Sequence, residues 1–347
     1  MLSLPLHIRL LDDIRRTRAF DRALAGTVRP GDVVADLGCG SGILSLLALK
    51  HGAARVYAVD RTGVVELARL LARENGVEDR MVVLRGRSYD VRLPERVDVV
   101  VSEILGHLPF EEDVVGVLAD ARRRFLKPGG RMIPASVRMM GAPALQAGPR
   151  RWRYGVQLET LRALAGHEPA LLDRVRTTGQ ARTLWGGDPS RSRLPIRVGA
   201  SWRVPKADGV AAWFDARLSP SVRLSSRRGT HWRPVFFPAR EALRGRMGFD
   251  LEIARPEEAT WRFNAMAPQS SVLAEAALAR PAGLTEDAFP RLSPDRLREA
   301  RALAQMDGRR TVRDIARGLG GLSYAEALRK IEALCRDEGV AWNGPSK

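Results

Sequence analysis

Cysteine is almost absent from this chain: two residues in 347, Cys39 and Cys335. So far apart, they fit neither a disulfide framework nor a metal-ligand spacing, and no metal site is expected. Histidine is scarce at five and tyrosine at four. Lysine is scarcer than the charge suggests, with five of 57 basic residues. No apolar run approaches the roughly 20 residues of a membrane-spanning helix, so no membrane partner is expected. The apolar opening Met1–Leu6 is cut short by Arg9 and has neither a basic start nor a small-residue cleavage site. It does not read as a signal peptide, and a cytoplasmic location is the expectation. There is no internal repeat and no low-complexity segment.

What remains is a chain too long for one ordinary core, with 45% hydrophobic residues and a net charge of +17. Residues 1–135 carry 21 basic and 18 acidic side chains, residues 136–270 carry 23 and 11, and residues 271–347 carry 13 and 11. The excess sits in the middle third. An arginine-biased composition explains most of it; a basic face for an acidic partner is the functional alternative. No basic-aromatic module accompanies the charge, so nucleic acid is not the expected partner.

Short apolar strands alternate with amphipathic helices through the first 135 residues. The periodicity predicts a helix over 7–25, then strands at 33–36, 55–60, 81–84, 97–101 and 131–134. Helices at 43–50, 64–75 and 113–126 separate them. This is the pattern of a doubly wound parallel sheet, Rossmann-like. Beyond residue 136 the rhythm becomes two-residue alternation at 196–204, 211–218, 232–237, 246–253 and 260–264, which predicts an antiparallel, barrel-like domain. A helix is expected near 156–175. Residues 269–290 read as a linker. In residues 291–347, Thr311 with Asp314 and Ser323 with Glu326 read as helix starts.

Three segments carry chemistry. The turn Asp36-Leu37-Gly38-Cys39-Gly40-Ser41-Gly42 follows a strand and opens a helix, and Gly38 and Gly40 let a ligand approach the backbone. Asp60 ends the next strand, where a carboxylate can accept both hydroxyls of a ribose. Glu103 and Glu112 form a carboxylate pair nine residues apart on the loop after the fourth strand. A guanidinium is planar, always charged and presents donors on two edges, so two carboxylates can hold and aim it. The turn by itself is also compatible with a dinucleotide-binding oxidoreductase, and Glu111 competes with Glu112 as the second carboxylate. The third segment is Thr230-His231-Trp232.

In this order and spacing the three resemble the protein arginine methyltransferase family, from about His7 to Phe263. The resemblance implies S-adenosylmethionine as cofactor, held by His7, Arg16, Asp36, Gly38, Gly40, Asp60, Ser88 and Tyr89, with Arg16 on the donor's carboxylate. It implies a catalytic set of Glu103, Glu112, His231 and Asp13, with the histidine paired to Asp13, and a substrate site of Glu103, Glu112 and Trp232. The chain departs from the family where Tyr89 replaces a glutamate, and where Ile104 and His107 replace Trp and Tyr. Residues 306–316 resemble small winged-helix peptide-binding modules of the PqqD kind. A DNA-binding helix-turn-helix or a packing appendage would give a similar string.

The expected organisation is therefore a methyltransferase domain (1–135), a β-barrel-like substrate domain (136–268), a linker (269–290) and a small helical unit (291–347). The expected activity is S-adenosylmethionine-dependent N-methylation of an arginine in a protein or peptide. The alternatives are a small guanidino or other nucleophilic acceptor, or a degenerate scaffold that binds peptides. Expected partners are the protein or peptide substrate, an acidic or leader peptide on the basic barrel or the C-terminal unit, and a second copy of the chain in a homodimer.

Overall fold

Valine, alanine and leucine dominate Val33–Leu37 (β1), Arg55–Asp60 (β2), Met81–Arg85 (β3) and Val97–Ser102 (β4). With both faces covered, such strands pair in parallel. In the computed structural model they do so, with Leu126–Ile133 (β5), in the order β3-β2-β1-β4-β5. The structure describes residues 4–146, 168–256, 258–264, 266 and 269–270. The chain divides into two units, Met1–Ala279 and Arg280–Lys347, and everything below concerns the first. The helical unit expected over 291–347 and the linker beyond residue 270 lie outside the described residues.

Helices Ile43–Lys50 (α3), Val65–Glu74 (α4) and Val114–Arg124 (α5) connect these strands. Ahead of the sheet, the single helix expected over 7–25 is two: Leu4–Asp12 (α1) and Ile14–Ala25 (α2). Asp13 breaks them, because its carboxylate caps α2 by accepting the Arg16 backbone N–H at 2.8 Å.

The second sheet is antiparallel and built on two long strands, Ile196–Arg217 (call it β10) and Val235–Arg255 (β12). Between β5 and β10 come Ser136–Leu145 (β6), Ala170–Leu171 (β7), Arg176–Thr177 (β8) and Arg182–Gly187 (β9). Arg223–Ser225 (β11) lies between the long strands, and Glu258–Phe263 (β13) and Gln269–Ser270 (β14) follow them. The main order is β14-β13-β12-β10-β6-β8, with β11 on β10, β7 on β12 and β9 on β6. Among the described residues these strands form an antiparallel sheet. The four segments expected at 196–218 and 232–253 merge into two strands. Register shifts between Val204 and Gly209 carry β10 across the break expected after residue 204. Of the helix expected near 156–175, the described residues 168–175 are not helical. Ala170–Leu171 pairs with β12 instead.

One apolar core runs from Phe20 on α2 through the parallel strands to Phe237, Phe249 and Trp261 of the second sheet. Among the described residues no helix is long and apolar enough to cross a membrane.

Candidate functional site

The parallel sheet reverses its winding at β1, which pairs with β2 on one side and β4 on the other. Ligands of such sheets bind beyond the carboxyl ends of the strands at this point. Leu37 is in register with Ser102, and the Ser102 hydroxyl donates to the Leu37 carbonyl at 2.6 Å. The glycine turn and Glu103 therefore leave the sheet side by side.

The turn is strapped to β2. Gly38 and Cys39 N–H donate to the Val59 carbonyl, and Gly40 N–H donates to Asp60 Oδ2 at 3.1 Å. Gly38 (φ +73°) and Gly40 (φ +53°) take left-handed conformations that glycine adopts without strain. A Cβ on Gly38 would lie 2.6 Å from Ile104 Cγ2, and one on Gly40 3.1 Å from the His7 ring. His7 thus sits over the turn. Burial, reinforced by Arg16 and opposed by Asp60, lowers its pKa. Asp60 Oδ1 accepts from the Thr62 N–H and hydroxyl, both at 2.8 Å. Asp36 is wholly buried; one oxygen accepts from Ser45 at 2.7 Å and Oδ1 has no partner. Burial first, then the charge of Asp60, pushes its pKa up to about 7.

Glu103 and Glu112 are brought together. Glu103 follows β4 and is 7% exposed. Its Oε2 takes both Nε (2.6 Å) and Nη2 (2.5 Å) of Arg16, while Oε1 has a long contact from Leu105 N–H at 3.5 Å. Arg16, expected on a donor carboxylate, is turned to Glu103 and to the Leu10 carbonyl. Glu112 is exposed to solvent as a residue, yet its carboxyl is pushed up to about 7. Withdrawal from water is the first cause; the negative charges of Glu103 and Glu111 follow. Glu111 is turned elsewhere: its Oε2 accepts the His107 N–H at 2.6 Å, and its side chain lies against Gly106. Among the charges around Glu112, that of Glu103 acts on it most strongly. Phe110, itself buried, anchors the loop edge-on against Trp185 at 5.1 Å.

The Thr230-His231-Trp232 loop joins β11 to β12. Ser226 pins its start, accepting the Phe214 N–H at 2.9 Å. Trp232 is 4% exposed, packed on Phe214 at 5.0 Å and on His231 at 4.3 Å, so it shapes the loop and offers little free face to a substrate. His231 reaches Asp13: its backbone N–H and its Nδ1 both lie 2.8 Å from Asp13 Oδ2. Burial alone would raise the Asp13 pKa, but the N–H donors of Arg16 and His231 and the His231 ring hold it below the usual carboxylate range.

Tyr89 and Ser88 stand apart from this cluster. The Tyr89 hydroxyl donates to Asp113 Oδ2 at 2.6 Å, which with burial raises its pKa. Ser88 gives its carbonyl to Arg124 at 2.6 Å. Sequence reasoning missed two contacts of the site. Arg16 as partner of Glu103 carried no signal beyond its place one turn after Asp13. His107 was visible only as a departure from the family pattern on the glutamate loop. Its Nδ1 accepts the Arg233 N–H at 3.0 Å and so ties the glutamate loop to the His231 loop.

Comparison with known proteins places this arrangement. A family model described as ribosomal protein L11 methyltransferase matches residues 17–137. A protein arginine N-methyltransferase of Oryza sativa, PRMT10, is 47% identical over 274 residues, covering 65% of this chain and 72% of that one. Protein arginine N-methyltransferase 1 of Saccharomyces cerevisiae is 33% identical over 273 residues, covering 71% and 78%. A probable protein arginine N-methyltransferase 6 of Arabidopsis thaliana is 36% identical over 171 residues; the match spans 46% of this chain and 39% of that relative's length. Among solved structures, the Trypanosoma brucei PRMT1 enzyme-prozyme heterotetrameric complex with AdoHcy shares the fold with a TM-score of 0.69 at 23% identity, over 76% of this chain and 93% of that one. Arabidopsis thaliana protein arginine methyltransferase 10 does so with a TM-score of 0.67 at 22% identity, over 83% and 97%.

Proposed function

Because the chain belongs to the protein arginine N-methyltransferase family, we propose that it moves a methyl group from S-adenosylmethionine to a guanidinium nitrogen of an arginine in a protein or peptide. The observation that carries this reading is Glu103 leaving the sheet beside the glycine turn, with the Glu112 carboxyl near enough to feel its charge.

The site fits the donor. The bare backbone of Gly38 and Gly40 forms a cradle that a Cβ would fill, and Asp60 stands at its edge. Gly38, Gly40, Asp36, Asp60 and His7 would hold the cofactor, which supplies an electrophilic sulfonium methyl. Ser88 and Tyr89 belong to the proposal at its adenine side, with the Tyr89 hydroxyl already committed to Asp113. The chain's own residues supply position and charge. Glu103, fixed by Arg16, and Glu112 hold the guanidinium from two sides and offset its repulsion from a cationic donor. As the N–C bond forms, that nitrogen loses one proton. Glu112, whose carboxyl sits near neutral pH, is the group placed to take it. His231 and Asp13 act by position, locking the substrate-side loop to α2. Catalysis is then mostly orientation and electrostatics.

The boundaries 1–135 for donor binding and 136–268 for substrate binding are part of the proposal. So are a cytoplasmic location and a homodimer, the latter in keeping with a trypanosome relative solved as a heterotetrameric complex. The test is mass spectrometry of arginine peptides after incubation with labelled donor, for the wild type and Glu103→Gln. Transfer to arginine that falls by orders of magnitude in the variant, with donor binding retained, supports the reading. A degenerate peptide-binding scaffold predicts no transfer at all.

A further inference from the structure

Beside the His231 loop lies a cavity of about 680 Å³. Its walls are Leu172–Val175, between β7 and β8, and the loop Arg227–Pro234. Four arginines line it, Arg174, Arg227, Arg228 and Arg233, against one carboxylate, Asp173. The Arg233–Asp173 pair is 3.3 Å apart with side chains 45% and 84% exposed, so solvent screens it and little charge is quenched. Arg227 lies over the Trp213 ring at 4.5 Å and keeps its charge. Among the described residues Arg174 and Arg228 have no carboxylate partner. A concave surface with this excess of one sign concentrates the opposite charge.

The cavity also touches the machinery described above. His231 and Trp232 line it, and Arg233 gives its backbone N–H to His107 of the glutamate loop. It therefore flanks the place where a substrate arginine is held. A purely cationic substrate would be welcome at Glu103 and Glu112 and repelled here.

We propose that this cavity is a recognition subsite for an anionic group, carboxylate or phosphate, carried by the substrate polypeptide near its target arginine. The inference rests on the arginine-methylation reading and narrows its substrate class to arginines in an acidic or phosphorylated neighbourhood. Guanidinium clusters are the usual readers of such motifs, since each fork matches two oxygens of a carboxylate or phosphate. A nucleic-acid strand is a poorer match, because of the two rings among the described wall residues Trp232 is 4% exposed and His231 is held by Asp13 and packed on Trp232, which leaves bases little to stack on.

The experiment uses the full chain and three peptides with the same central arginine: one with neutral flanks, one carrying glutamates, one carrying phosphoserine, with the anionic position scanned on both sides. Steady-state kinetics compare the wild type with the double variant Arg174→Gln/Arg228→Gln. In the wild type an anionic flank should lower KM by about tenfold with kcat little changed, and salt should erode the gain. The double variant should lose that preference while its kinetics on the neutral peptide stay within about twofold. Whichever anionic peptide gains more identifies the source of the charge. No preference in the wild type, or one that survives in the variant, overturns the proposal. If no peptide is methylated, it is the arginine reading that has failed. The cavity is then judged by fluorescence anisotropy of the labelled anionic peptides: binding lost in the double variant sustains it, and no binding overturns it. A single-stranded RNA that outcompetes these peptides and depends on the same two arginines also overturns it.

Discussion

Glu112 should make substrate capture depend on pH across neutrality. Its carboxyl is raised from 4.5 to about 7 by withdrawal from water and by Glu103 and Glu111. A raised carboxylic pKa means the group is protonated below that value and ionised above it. A guanidinium needs the ionised form. For a cationic peptide at saturating donor, kcat/KM should therefore rise about tenfold per pH unit below about 7 and level off above it. The bound guanidinium brings a positive charge beside the carboxylate and lowers its pKa, so kcat, which reports the complex, should bend at a lower pH than kcat/KM, which reports the free enzyme. Peptide binding at pH 6 should release close to one proton and at pH 9 almost none, measurable by calorimetry in buffers of different ionisation enthalpy. Glu112→Gln should remove both the bend and the proton release, whereas Glu111→Gln should keep them. A kcat/KM profile that stays flat from pH 6 to 8, or a bend that persists in Glu112→Gln, would refute the assignment of this carboxylate to the guanidinium.

Three further outcomes follow from the site. In Asp13→Asn the amide oxygen can still cap α2, but its NH₂ faces the His231 N–H; urea unfolding should show a loss of about 1–3 kcal/mol, and an unchanged midpoint would show that the contact is idle. Asp60→Ala removes a charged acceptor from the turn and should weaken donor binding by about 1–3 kcal/mol in calorimetry, while a stronger preference for a nicotinamide cofactor would end the methyl-donor reading. Asp36 has a folded-state pKa raised from 3.8 to about 7, so the unfolded chain gives up its proton first and stability should fall as pH rises between those values; Asp36→Asn should flatten that fall, and parallel curves for the two proteins would place the pH dependence elsewhere.

The parallel sheet was legible because each strand is a short buried apolar run with a helix behind it, and periodicity reports that directly. Asp13 defeated the same logic. It sits within an amphipathic stretch, and nothing local says that its carboxylate will break the helix and reach a loop far along the chain. The long strands β10 and β12 were split because the two-residue alternation lapses between 204 and 211 and between 237 and 246. A bulge lets a strand continue past such a lapse, and its presence depends on the partner strand. Strand β6 escaped notice since Met-Met-Gly-Ala-Pro does not alternate. At the site, residue types fixed the chemistry, and the Glu103–Glu112 spacing named the pair. The choice between Glu111 and Glu112 was open in sequence, because adjacent acids point different ways only once Phe110 is buried and His107 N–H has claimed one of them. His107 and the Arg16–Glu103 pair depend on contacts across 126 and 87 residues, which no local pattern encodes.

The same separations set an order in time. Arg16 can meet Glu103 as soon as the first hundred or so residues have left the ribosome. Asp13 must wait for His231, 218 residues later. At about 5–20 residues per second, roughly 10–40 s of synthesis lie between Asp13 and His231. During that interval the start of α2 has its cap but not its far partner, and the loop that would face a substrate does not yet exist. The glycine turn and Glu103 are thus made well before the His231 loop, with β12, β13 and β14 still to follow it.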